Sequence, residues 1–195
     1  MRPMTLKELR SIAEQRGVDY EEISSSNPGE LATRVSRVFA VGADELRNLL
    51  QDPNAHVDLF PTFRAVHVVP RDGFEGLLAE NERIVVERVE EARSRLSVAL
   101  FRVEPDGSVV KDILSDPFVP DDVDILSDRK RGTATFNVTE VGPGVSRLTC
   151  ESSFYPKTGT VFARGLVDHV WLAFLENLMI RFEGLSSEAR STDAE

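Results

Sequence analysis

The chain has 195 residues, 41% of them hydrophobic, and a formal net charge of -10. That size suits one core-bearing domain with short extensions, and the acidity excludes a surface built to neutralise nucleic-acid phosphates or anionic lipid, which needs clustered Lys and Arg. The single cysteine, Cys150, excludes an intrachain disulfide and a one-chain thiolate zinc cluster, and it fits a reducing cytoplasm.

The N-terminus, "MRPMTLKELRSIAEQRGVDY", has charges where an export signal needs an apolar run. Its segment "TLKELRSIAEQRG" predicts an amphipathic helix: Thr5 and Glu8 have capping-box spacing, Leu6, Leu9, Ile12 and Ala13 share a face, and Gly17 suits the C-terminal cap. The Ser, Asn, Pro and Gly of "EEISSSNPGE" predict a linker, so residues 1–30 read as a helical extension to a domain over 31–185.

From Thr33 the period becomes two in "TRVSRVFAV", followed by a helix in "GADELRNLLQDP", where Asp44 and Glu45 occupy the first turn. A second short helical or irregular piece with His56 lies between Pro53 and Pro61. Six strands are then predicted in "FRAVHVV", "RIVVERVEE", "RLSVALFRV", "SVVKDIL", "ATFNVTEV" and "SRLTCESSFY", rich in β-branched and aromatic residues. Short turns such as "PDG" and "GPG" imply antiparallel neighbours. The long connection "SDPFVPDDVDILSDRKRG" carries several acids but lacks the central Gly and terminal Glu of a calcium loop. A long helix starts near Thr158 to Thr160 and stops at Gly184, and residues 186–195 form a polar, disordered tail.

That last helix is the most apolar stretch of the chain. Spanning a bilayer takes about 20 predominantly apolar residues, and Arg164, Asp168, Glu176, Arg181 and Glu183 interrupt it, so no stable membrane insertion is expected. On a helical wheel Ala163, Leu166, Val167, Val170, Trp171, Phe174 and Leu178 make a broad apolar face, with Asn177 inside its arc. In the last strand Leu148, Cys150, Ser152 and Phe154 share a side, as do Ala134, Phe136 and Val138 in the strand before it. His67 alternates with Val66 and Val68, which leaves open whether it points inward.

The order of these elements is similar to the helix-grip fold of the START-like superfamily, also called SRPBCC, which includes polyketide cyclases and lipid-transfer proteins. "RVFAVGADELRNLLQDPNAHVDLFPTF" resembles its opening strand, helix and Asp-Pro step, and "SRLTCESSFYPKTGTVFARGLVDHVWLAFLENLMIRFEGL" its last strand running into the long helix. The resemblance implies an α+β fold in which a curved antiparallel sheet wraps around the C-terminal helix, with an apolar cavity between them. It also implies a function, binding or transport of a small hydrophobic ligand such as a lipid, isoprenoid or polyketide. On this view the ligand would meet His67, Phe136, Val138, Leu148, Cys150, Ser152, Phe154, Leu166, Val170, Phe174 and Asn177.

Periodicity alone leaves a filled core as open as a hollow one. A void of about 300 Å³ would cost about 7 kcal/mol, as much as a domain's stability, so a hollow that persists suggests a guest.

Catalytic signatures are absent: no nucleotide loop, no H-E-x-x-H and no G-x-S-x-G. His56, His67 and His169 fall on different elements, so neither metal nor cofactor is expected, and no catalytic residue is assigned. A polyketide cyclase or aromatase remains the enzyme alternative, because a cavity that folds a reactive chain needs no fixed motif. The third alternative is an interaction module or homodimer meeting a partner through Trp171, Leu172, Leu175 and Met179.

Overall fold

The alternating segments pair into a single sheet. The computed structural model describes residues 6–24, 30–72, 76–90, 94–114, 132–154 and 160–184, with only the backbone at 6, 9, 89–90, 94–95 and 160–168. The connection over 115–131, the stretch 25–29 and the tail from 185 onward lie outside the described residues. Helix α1 (Leu6–Gln15) and strand β1 (Asp19–Ile23) lead into β2 (Leu31–Phe39), α2 (Ala43–Gln51), a 3-10 turn (Pro53–Ala55) and α3 (His56–Leu59). Strands β3 (Phe63–Val68), β4 (Glu82–Glu90), β5 (Ser94–Val103), β6 (Val109–Ile113), β7 (Gly132–Gly142) and β8 (Val145–Phe154) follow, and α4 (Thr160–Glu183) closes the series.

The eight strands form one antiparallel sheet in the order β1-β2-β8-β7-β6-β5-β4-β3. It is curved and open, and with α4 it makes the helix-grip α+β arrangement. Register fixes which side chains share the inner face: Val35 stands opposite Cys150, Cys150 opposite Phe136, and Phe136 opposite Val109. Farther along, Lys111 is opposite Phe101, and Glu87 is opposite both Ser97 and Val66.

Part of the expected linker is β1, paired with β2 from Asp19↔Ser36 to Ile23↔Ala32. Helix α1 ends in a Schellman cap: Val18 N–H donates to Ala13 O (2.9 Å), Gly17 N–H donates to Glu14 O (3.0 Å), and Gly17 supplies the left-handed residue at φ 62°. The cap presses Ala13 and Val18 into the main core cluster.

Helix α4 is apolar on several sides because several sides are covered. Trp171, Phe174 and Leu178 lie on one stripe and are buried. Leu172, Glu176, Met179 and Glu183 lie on another, where Glu176 pairs with Arg16 at the end of α1 (3.1 Å) and Glu183 with Arg37 of β2 (3.1 Å). Arg37 also donates to the Arg16 carbonyl, so one guanidinium joins α1, β2 and α4. Trp171, Leu172 and Leu175 are thus buried within the chain, and Met179 packs on the same core. Among the described residues no helix is long and apolar enough to cross a membrane.

Candidate functional site

Two charged residues stand on the inner face where apolar ones would be expected. Glu87 of β4 and Lys111 of β6 are 2% and 5% exposed and form an ion pair across the intervening β5. Register explains the reach. On the inner face of β5, Ser97 stands opposite Glu87 and Phe101 opposite Lys111, with Ala99 between them. Ala99 is small and fully buried, which leaves room for the lysine stem to cross toward the carboxylate.

The ammonium also lies 4.7 Å from the Phe63 ring centroid and 5.8 Å from that of Phe60, within cation–π range. Burial raises the Glu87 pKa, while Lys111 and the Ser97 hydroxyl act in the opposite direction by holding the carboxylate. Around the pair, inner-face Val66, Val68, Ile113 and Phe63 are only partly covered.

His56 adds a third titratable group. Its Nε2 lies 3.0 Å from the Leu50 carbonyl, which makes Nε2 the protonated nitrogen of a neutral ring. Burial, then the Lys111 charge, lower its pKa to about 4. Unfolding restores the ordinary value of 6.5, so the unfolded chain binds more protons between those values. Stability is complete above pH 6.5 and falls as pH drops toward 4. Between neutral pH and pH 4.5, wild type is expected to lose about 2 to 3 kcal/mol more than His56→Gln in urea melts. Parallel pH profiles would remove this role for the ring.

The sequence-derived candidates divide into three groups. Phe136, Val138, Leu148, Cys150 and Phe174 are buried in the main core cluster, and partly buried Val170 packs against it. Phe60, Phe136, Trp171 and Phe174 pack ring to ring: Phe60 stacks on Phe174 at 4.5 Å, and Phe136 lies 5.4 Å from Trp171 and 5.7 Å from Phe174. This end of the interior is filled with aromatic side chains. Burial also pushes the Cys150 thiol well above its usual pKa, which keeps it protonated and unreactive.

The polar members of the second group find partners within the protein. Trp171 Nε1–H donates to Ser152 Oγ (2.9 Å), and Asn177 Nδ2 donates to the Leu59 carbonyl (2.9 Å). Phe154 is buried at the far end of β8.

His67 is the correction. It is exposed, because β3 turns Val66 and Val68 inward after a register shift between Phe63 and Ala65, and alternation then sends His67 outward. Leu166 falls in the stretch of α4 whose side chains lie outside the described residues.

Glu87, Lys111, Ser97 and His56 were not among the sequence candidates. Strand parity carried the signal for three of them: Glu87 shares a side with Val85, Lys111 with Val109 and Ile113, and Ser97 with Ala99 and Phe101. Nothing in the sequence near His56 marks its burial among Phe60, Phe101 and Phe136, with ring centroids 5.6 to 5.7 Å away.

A cleft of about 430 Å³ also opens beside α1 and β1, lined by Arg10, Ala13, Glu14, Gly17, Val18, Asp19 and Tyr20. Its charged members Arg10, Glu14 and Asp19 face solvent, a poor match for an apolar guest.

No family model matches the sequence, and no curated protein matches it. Solved structures do match. A STAR-related lipid transfer protein from Xanthomonas axonopodis aligns over 86% of this chain and 94% of its own at a TM-score of 0.61 and 15% identity. A START superfamily protein from Mycobacterium smegmatis aligns over 80% and 99%, with a TM-score of 0.58 and 13% identity. The Zhui aromatase/cyclase from a Streptomyces species aligns over 80% and 99%, with a TM-score of 0.54 and 11% identity. Together with the strand order and the position of α4, these likenesses give the chain the START-like, helix-grip fold.

Proposed function

We propose that the chain binds a small hydrophobic molecule between the inner sheet face and α4, with the polar end of the guest at Glu87 and Lys111. The observation that carries this reading is the buried ion pair itself. Taking two charges out of water costs several kcal/mol each, and such a pair is often no more stabilising than apolar residues of the same volume. Stability alone therefore gives no reason for it on this face. A ligand with one hydrogen-bonding group does, since both charged groups sit among partly covered Phe63, Val66, Val68 and Ile113. The fold shared with a STAR-related lipid transfer protein supports the same reading.

The expected result is a co-purified small molecule in native mass spectrometry and a raised melting temperature with lipids, isoprenoids or polyketide-like compounds. A ligand at a hundred times its Kd stabilises by about 2.7 kcal/mol, or roughly 5 to 10 °C for a chain of this size. No bound molecule and no shift across such a panel would defeat the proposal.

The fold shared with the Zhui aromatase/cyclase, together with three titratable groups in one interior, supports a second reading as a cyclase acting on a poly-keto chain. Turnover of such a substrate that is lost in Glu87→Gln would favour it over simple carriage.

A further inference from the structure

The outer face of the sheet changes character from one side to the other. Across β2 and β8 it is largely polar, with Arg34 opposite Glu151 and Ser36 opposite Thr149. Across β4 and β5 it is apolar. There Val86 stands opposite Val98 and Ile84 opposite Leu100, on the side of the strands that Val85, Glu87, Ala99 and Phe101 do not use. Leu96, 61% exposed, extends the patch, and Leu114 joins it through a bond from its N–H to the Val98 carbonyl (2.8 Å). Val98 at the centre is buried, and the others are open in part or whole. A monomer seldom leaves such a contiguous apolar surface bare.

The two ends of the patch differ in sign. Where β4 begins, Arg102 is surrounded by Glu82 (3.8 Å), Glu104 (3.3 Å) and Asp112 (2.7 Å), so three carboxylates share one guanidinium. Toward the other end of β4 stands Arg88, exposed and opposite Leu96. A second copy turned end for end lays its Arg88 over the Glu82 and Glu104 carboxylates of the first, and a two-fold operation makes that contact twice. The apolar rows then meet, with Val86 and Val98 of one copy over Ile84 and Leu100 of the other. Lipid is a poorer match. Pressed on a bilayer, the same face would bring three carboxylates to the surface, and a chain of net charge -10 is repelled by anionic headgroups.

We propose that this outer patch is a self-docking surface on which two copies pack sheet against sheet with antiparallel strands. The two-fold axis crosses β4 and β5 between the Val86–Val98 and Ile84–Leu100 pairs. This face is the reverse of the one assigned to the apolar ligand, so neither proposal rests on the other. Strands β3 to β6, about 4.8 Å apart and crossed over about 20 Å of β4, outline roughly 400 Å² on each copy. Stable complexes bury about 1,200 Å² or more in total, so a patch of this size makes a dimer that forms and dissociates with concentration.

Sedimentation velocity of the full-length protein, from micromolar to near-millimolar, is expected to show monomer giving way to dimer. Leu96→Lys, at an exposed position on which the fold does not depend, is expected to keep its melting temperature in dilute solution and to lose the dimer. Arg88→Glu and Glu104→Arg each set like charges together at both symmetric contacts, and each is expected to weaken association about tenfold or more. Mixed in equal amounts, the two variants present opposite charges at both contacts, so a heterodimer is expected to return. Unspecific stickiness has no such rescue.

A wild type that stays monomeric over the whole range overturns the proposal, and flotation with phosphatidylcholine vesicles would then mark the face as a lipid contact. A dimer that survives Leu96→Lys and both charge reversals overturns it too, since its copies meet elsewhere. A mixture that stays monomeric overturns the end-for-end arrangement. The wild-type result stands even if a charge variant fails to fold.

Discussion

Lys111→Met is expected to destabilise the protein by about 3 to 5 kcal/mol, the usual consequence of leaving one member of a buried ion pair without its partner. Glu87, 2% exposed, would keep the Ser97 hydrogen bond but lose the opposing charge that offsets its desolvation. Lys111→Met combined with Glu87→Leu is expected to recover most of that loss and even to exceed wild type, since an apolar pair removes both burdens. Urea melts of wild type, both single variants and the double variant form the cycle that measures the coupling.

The sign with pH is fixed as well. A carboxyl group whose pKa is raised in the folded state supplies stability below its unfolded pKa and loses it as pH rises through the folded value. Without Lys111 the Glu87 pKa rises further, so the defect of Lys111→Met should shrink in acid. A single variant as stable as wild type at neutral pH would show that the two groups do not depend on one another.

Phe136→Ala is the second large effect, expected at about 3 to 5 kcal/mol. The Phe136 ring is 1% exposed and meets His56 at 5.7 Å, Phe60 at 6.3 Å, Trp171 at 5.4 Å and Phe174 at 5.7 Å. Removing it takes away area burial and several edge-to-face contacts together. Because Trp171 is the sole tryptophan, its fluorescence reports the same cluster. Emission should shift as the indole loses its neighbour, while its hydrogen bond to Ser152 marks how far it moves. A cost below 1 kcal/mol would mean that this end of the interior is slack.

The sheet was legible in the sequence because its strands carry their own period. β7 alternates over Gly132–Val138, and of the expected inner sets Ala134, Phe136 and Val138 in β7 and Leu148, Cys150 and Phe154 in β8 are buried, while Ser152 is half-buried like its neighbours. The end of α4 at Gly184 was legible too, since a residue at φ 61° announces itself as glycine. β1 was not: "DYEEI" has three acids in five residues, and its order comes from pairing with β2 rather than from its own propensity.

The candidate site was half legible. Apolar side chains on the right face were found, but a periodic pattern shows only direction, and whether Asn177 meets a guest or the Leu59 carbonyl depends on α3, far away in sequence. His67 failed for a local reason, an irregularity in β3 that no turn residue signals. Glu87 and Lys111 are marked in the sequence only by their shared parity with valines, because charges in a strand are usually solvated.

The strand order carries a consequence for how the chain acquires its structure. β2 (Leu31–Phe39) has as its second neighbour β8 (Val145–Phe154), far from it in sequence, and α1 rests on α4. During synthesis one border of β2 stays unsatisfied until β8 has emerged, and no fragment that stops short of β8 can close the sheet around its core. Such distant pairings slow assembly and leave a sticky border exposed while it waits. The acids Asp19, Glu21 and Glu22 on β1, which covers the opposite border, put like charges there that discourage association with other chains in the meantime.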